Sequence, residues 1–202
     1  MGNSYISNAA TFLVEWTFGL YALMVMLRLL FQIFRADFYN PVSQAIVKLT
    51  DPPLRVLRRF VPGVLGIDTA SVALIFGLKA IELWLRYTLG GASTSVVGLI
   101  VLTFGEVLAL AANIFLFSII IQVIISWVNP GGHNPIMSLL HSLTEPLLRP
   151  VRRLLPPAGG LDFSPMLAMV GLILITMLLV TPIRDQGSHL MYSHATAMSQ
   201  TQ

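Results

Sequence analysis

The sequence predicts an all-α membrane protein: four transmembrane helices as two parallel tandem repeats, each with an interfacial amphipathic basic helix. Three observations carry this. Of 202 residues, 55% are hydrophobic and only 10% charged, where a soluble domain carries about a quarter charged residues. Four apolar runs are each long enough to cross a bilayer core of about 30 Å. And one frame of residues occurs twice, 94 positions apart, with no gap.

The first copy of that frame reads Asn40-Pro41, Thr50-Asp51-Pro52-Pro53-Leu54-Arg55, Arg58-Arg59, Pro62 and Gly66-Ile67-Asp68. The second reads Asn134-Pro135, Thr144-Glu145-Pro146-Leu147-Leu148-Arg149, Arg152-Arg153, Pro156 and Gly160-Leu161-Asp162. About a dozen aligned positions are identical, a density that reads as duplication rather than chance.

Residues 1–94 form the first repeat, with spans at about 9–34 and 69–89 around interfacial helices at about 41–61. Residues 95–183 form the second, with spans at about 95–128 and 163–183 around helices at about 135–155. The run at 95–128 exceeds one crossing, so part of it should tilt, kink or project. Residues 184–202 are rich in Ser, Thr, Gln and His, a composition that reads as a disordered tail. No Lys or Arg precedes the first apolar run, so it is expected to stay as a membrane helix rather than be cleaved as a signal. Met1-Gly2 has the look of a myristoylation start, but Ser7 lies one place beyond that motif's hydroxyl position.

Two spans per unit bring both copies into the membrane in the same sense, as parallel repeats about an axis along the membrane normal. Both connectors then share one face. They hold Arg35, Lys48, Arg55, Arg58, Arg59, Arg149, Arg152 and Arg153, and the positive-inside rule puts that face in the cytoplasm and both termini outside it. The net charge of +3 follows from this bias. The cations are too few and too localised for a nucleic-acid partner.

At about 100° per residue, Arg55, Arg58 and Arg59 share one helix face, opposite Val56, Leu57, Phe60 and Val61. Arg149, Arg152 and Arg153 repeat this opposite Leu147, Val151, Leu154 and Leu155. Pro52 and Pro146 suit a first helical turn, with Thr50 and Thr144 as caps; Pro150 should shorten or distort the second helix. Such helices lie among lipid headgroups, their arginines on anionic lipid or on a cytosolic or membrane protein partner. Asp68 and Asp162 are expected helix caps, with Gly66 and Gly160 allowing the tight return into the membrane. Asn40-Pro41 and Asn134-Pro135 punctuate each start.

A second constellation lies within the membrane. Lys79, Glu82 and Arg86 share a face of the second span, and Glu106 lies at similar depth on the third, with Asn113 two turns on. A charge at mid-bilayer costs about 2.5–3.5 kcal/mol on insertion scales, so Glu82 is expected to pair with Lys79 or Arg86, and Glu106 with Lys79. Glu15 and Arg28 near the ends of the first span can snorkel. Ala73-to-Gly77, Ala168-to-Gly171 and Ala109-to-Ala112 offer small surfaces for helix packing.

No cysteine is present, which excludes disulfides and thiolate chemistry. His133, His141, His189 and His194 lack metal-ligand spacing, and no phosphate loop, nucleophile elbow or HExxH occurs. Neither a catalytic set, a metal site nor a cofactor is expected.

The tandem motifs, with Arg35-Ala-Asp-Phe-Tyr-Asn-Pro-Val-Ser-Gln in the first copy and Gly-Leu-Asp-Phe-Ser-Pro in the second, make the chain resemble the YggT family, which includes the YlmG proteins and plastid relatives. The resemblance covers about residues 10–183. It implies a small bacterial inner-membrane protein with roles in osmotic-stress or ion homeostasis, membrane organisation near cell division, or complex assembly, and it carries over no catalytic residue. Two readings follow. One is a non-enzymatic scaffold presenting the basic helices. The other is an ion-transport component using Lys79, Glu82 and Glu106, for which four helices per chain would call for a homo-oligomer.

Overall fold

The computed structural model describes residues 2–64, 66–91, 94–128, 135–154 and 162–199, the side chains of 2–4 and 192–199 excepted. Asn134, Leu155, Pro156, Gly160 and Leu161 of the second frame lie outside the described residues, as do His133 and the side chain of His194.

The chain is all-helical. Its elements are α1 (Gly2–Ile33), α2 (Pro41–Leu57), α3 (Thr69–Leu89), α4 (Val96–Val128), α5 (Pro135–Leu154), α6 (Ser164–Ile175), a π-helical turn (Thr176–Val180) and α7 (Thr181–Ser199). Three segments are long and apolar enough to cross a membrane: Tyr5–Ile33, Val96–Val128 and Ser164–Met191. By composition α3 is not a fourth, because Lys79, Glu82 and Arg86 fall in every 18-residue stretch of it. It packs against α1 and α4. Ser7 Oγ donates to Leu89 O (2.6 Å) at one end of α1, and Gln32 Nε2 to Gly66 O (3.3 Å) at the other, so α3 runs the length of α1.

The main core joins Val25, Leu29 and Leu30 of α1 to Ile75 of α3, Ile114 of α4 and Leu143 of α5. A second cluster joins Ile119 of α4 to Leu148 of α5 and to Ala168 and Leu172 of α6.

Four expectations need correction. Thr50 and Thr144 are not caps. They are fully buried in the middle of unbroken helices and donate to the i−4 carbonyls, Ile46 O (2.7 Å) and Leu140 O (2.9 Å). The cap of α2 is Asn40, whose Oδ1 accepts from Val42 N–H (3.0 Å) ahead of Pro41. Nor does Pro150 shorten the second helix: α5 has 20 residues against 17 in α2, which ends at Leu57 so that Arg58 and Arg59 lie in the turn beyond it. Proline leaves a carbonyl one turn back without its donor, and for Pro53 that carbonyl, Leu49 O, accepts from Tyr21 Oη (3.3 Å).

Residues 184–199 are helix rather than disordered tail, and they pack on α4 at least as far as Met191, 1% exposed. Polar composition is a poor guide here because the contact is made by glycines. A Cβ on Gly98 would sit 2.8 Å from Met191 N, and one on Gly187 2.6 Å from Leu102 N. The small surface at Ala73 and Gly77 is, by contrast, exposed. Gly66, at φ +79°, makes the turn into α3 that a side chain would strain.

Candidate functional site

The two basic connectors carry a tie that repeats with the 94-residue offset. In the first, Arg58 Nη2 meets Asp68 Oδ2 at 2.5 Å and Nη1 lies 3.7 Å from Asp51 Oδ1. In the second, Arg152 Nε meets Asp162 Oδ2 at 3.0 Å and Nη1 meets Glu145 Oε2 at 2.8 Å. Each arginine clasps one carboxylate on its own connector and one just before the next helix, α3 or α6. The tie therefore fixes how connector and helix meet.

A further contact pins each connector to the helix before it. Buried Arg28 on α1 donates to Thr50 Oγ1 (3.0 Å), Val47 O (3.2 Å) and Asp51 Oδ1 (3.0 Å). At the matching place on α4, the Gln122 side chain is hydrogen-bonded to Thr144 Oγ1. Arg28 is thus built in rather than snorkelling. The two connectors also meet, through Asn40 Nδ2 donating to Pro135 O (2.6 Å) and Ser138 Oγ (3.3 Å).

These contacts sort the six arginines. Arg58 and Arg152 are ties, and Arg55 pairs with Asp51 at 2.7 Å. Arg59, Arg149 and Arg153 are exposed and meet no carboxylate among the described residues. Val56, Phe60 and Leu154 stand exposed beside them, at 56%, 80% and 78%.

The caps are only partly as expected. Asp162 Oδ1 accepts from Ser164 N–H (2.9 Å), whereas Asp68 accepts from the Ser71 hydroxyl (2.7 Å). Burial alone would raise the pKa of both carboxylates and of Asp51. The hydrogen bonds outweigh it and hold all three below the ordinary carboxylate range: Arg28 and Arg55 on Asp51, Arg58 and Ser71 on Asp68, Ser164 and Arg152 on Asp162. A carboxylate whose pKa is lowered by folding stabilises above its unfolded value near 3.9, and loses that as pH falls through the folded value. Thermal stability in detergent is therefore expected to stay level from pH 7 to about 5 and to drop below about pH 4. A stability rising through that lower window would refute the ties.

Lys79, Glu82, Arg86 and Glu106 enter three pairs. Lys79 Nζ meets Glu82 Oε2 at 2.9 Å, both side chains buried on α3. Arg86 reaches Glu15 on α1 at 3.0 Å, and Arg184 on α7 reaches Glu106 on α4 at 2.7 Å. The expected pair of Glu106 with Lys79 does not form, because α7 brings Arg184 alongside Gly105, where a Cβ would lie 2.7 Å from Arg184 Cγ. Beside these pairs is a polar cavity of about 270 Å³ lined by Arg86, Glu106, Arg184 and Asp185.

The partners of Arg58 and Arg152 were the chief omission of the sequence reading. The signal was present: carboxylates seven before and ten after each arginine, in both copies.

The architecture defines a helical protein with membrane-spanning character and paired basic connectors between its helices. The CCB3/YggT family profile matches residues 7–89 and again 101–183, two stretches separated by the same 94 residues. An uncharacterized protein of Pseudomonas aeruginosa is 42% identical over 180 residues, covering 87% of this chain and 90% of its own. An uncharacterized protein of Vibrio alginolyticus is 39% identical over 168 residues (82% and 90%), and the uncharacterized protein YggT of Escherichia coli K12 is 35% identical over 193 (91% and 96%). The chain belongs to the CCB3/YggT family. No solved structure matches it.

Proposed function

We propose that the protein is a non-enzymatic scaffold of a bacterial inner membrane, with two basic connectors that dock the headgroups of anionic lipids. The observation that carries this is the division among the arginines. Three are spent on internal carboxylates, while Arg59, Arg149 and Arg153 stay exposed beside bare apolar side chains. That is the pattern of a surface lying at the level of phosphates. The same cations suit an acidic cytosolic partner.

The reading takes α3 as a fourth span. Its length alongside α1 supports this, as does the neutralisation of its three charges by Glu82, Lys79 and Glu15. Four spans put both connectors on one side, the cytoplasmic side by their charge, with both termini opposite. The double family match supports two tandem units.

The test uses nanodiscs of mixed phosphatidylglycerol and phosphatidylcholine. The native chain is expected to enrich the anionic lipid around itself, less so at high salt. Arg59→Gln/Arg149→Gln/Arg153→Gln should abolish that preference, whereas Arg58→Gln/Arg152→Gln should keep it and lower the melting temperature. An unchanged preference in the triple variant ends the lipid reading and passes the cations to a protein partner. The second reading, ion transport, draws on the polar cavity beside Glu106. Liposome flux abolished by Glu106→Gln would favour it, but Glu106, Lys79, Glu82 and Arg86 are each already paired, and that ranks it second.

A further inference from the structure

A groove of about 430 Å³ runs between the two halves of the molecule, walled by α1, α2, α4 and α5. Its lining obeys the 94-residue offset: Leu27 and Ile121, Val42 and Ile136, Ile46 and Leu140 all line it. It therefore lies where the two halves meet, and its walls are almost wholly apolar.

Two polar side chains interrupt the lining, both on α4. Ser118 is 5% exposed, and its hydroxyl meets no described partner. A hydroxyl that faces an apolar groove with no protein acceptor among the described residues points to a ligand that brings one. Depth identifies the acceptor. Gln122, bonded to Thr144, marks the level at which α4 meets its connector. At 1.5 Å per residue, Ser118 lies about 6 Å further into the membrane, and Leu110 at the far end about 18 Å. Half a hydrocarbon core is about 15 Å. The groove is one leaflet long, and Ser118 stands near the depth of lipid esters.

We infer that this groove holds one acyl chain of a phospholipid from the cytoplasmic leaflet, with the Ser118 hydroxyl donating to its ester carbonyl. The inference rests on the reading above, which puts α2 and α5 at that leaflet. Charge agrees with it: the two connectors that wall the groove also bear Lys48 and Arg149, both exposed and without a carboxylate partner among the described residues, for the phosphate.

Mass spectrometry of the intact, detergent-purified chain, after exposure to palmitoyl-oleoyl phosphatidylglycerol or phosphatidylcholine, counts the lipids that stay bound. One phospholipid per chain is expected to survive washing. Val42→Trp/Ile136→Trp fills the groove from two exposed positions and should cut retention at least tenfold, with the melting temperature preserved. Ser118→Ala should weaken it about fivefold, the worth of one hydrogen bond. The triple arginine variant should keep the bound lipid and lose only the choice of headgroup, so failure of the surface reading and failure of the groove are separable. Equal retention by Val42→Trp/Ile136→Trp and the native chain overturns the assignment. So does a dimer that Asn113→Leu dissolves, since an exposed amide near the bilayer midplane also suits a second copy.

Discussion

Replacing Gly187 by leucine is expected to lift α7 off α4 and destabilise the protein by about 3 kcal/mol or more. The atoms a side chain would strike are Leu102 N and Cα, at 2.6 and 2.7 Å. Backbone cannot rotate away as a side chain can, so the helices must part. Overpacking alone costs about 1–3 kcal/mol. Parting the helices also separates Arg184 from Glu106, whose side chain is 18% exposed, and an unpaired carboxylate in the membrane adds to the loss. Thermal unfolding in detergent measures the effect, and trypsin cleavage at Arg184 reports its place. Alanine should act in the same direction more weakly. A leucine variant with native stability and native resistance would mean that α7 does not pack there.

Lys79→Met is expected to cost about 3–5 kcal/mol, because it leaves the buried Glu82 carboxylate with no counter-charge. Lys79→Met/Glu82→Leu should recover most of it, since removing both charges removes the desolvation penalty with the attraction. The pair links two positions three apart on one helix and bridges nothing, so little packing is at stake. Denaturation of the two variants side by side decides the matter. A double variant as weak as the single one would show that the pair does more than neutralise itself.

The basic frame was the most legible part of the sequence, because its period and charge need no tertiary contact to be seen. Which arginines stay free was not legible. It depends on Asp68 and Asp162 folding back across a turn to reach Arg58 and Arg152, and no helical wheel of the connector includes them. Thr50 and Thr144 misled for a related reason. A threonine before a proline is the pattern of a cap, yet here each is clamped to the preceding membrane helix, by Arg28 or by Gln122. The C-terminal helix was hidden by its polar composition. Its attachment rests on Gly98, Gly105 and Gly187, which allow close approach without adding hydrophobicity. Arg86 on α3 and Glu106 on α4 find their partners, Glu15 and Arg184, on helices whose rotation no linear pattern reveals.

The π-helical turn at Thr176–Val180 acts as a phase correction. Leu172 faces α4, where it packs with Ile119. Continued as plain α-helix at 100° per residue, the chain would carry Gly187, Met191 and Arg184 about 60°, 100° and 120° away from that line. A wide turn takes up one extra residue, about 100° of rotation, and so returns all three to the side of α4. The first copy has no such turn, and its α3 ends at Leu89 with nothing further to align. Position for position, then, the described helices of the two family-matched stretches correspond only as far as residue 175. Beyond it they share a spacing in sequence but no longer a bearing in space.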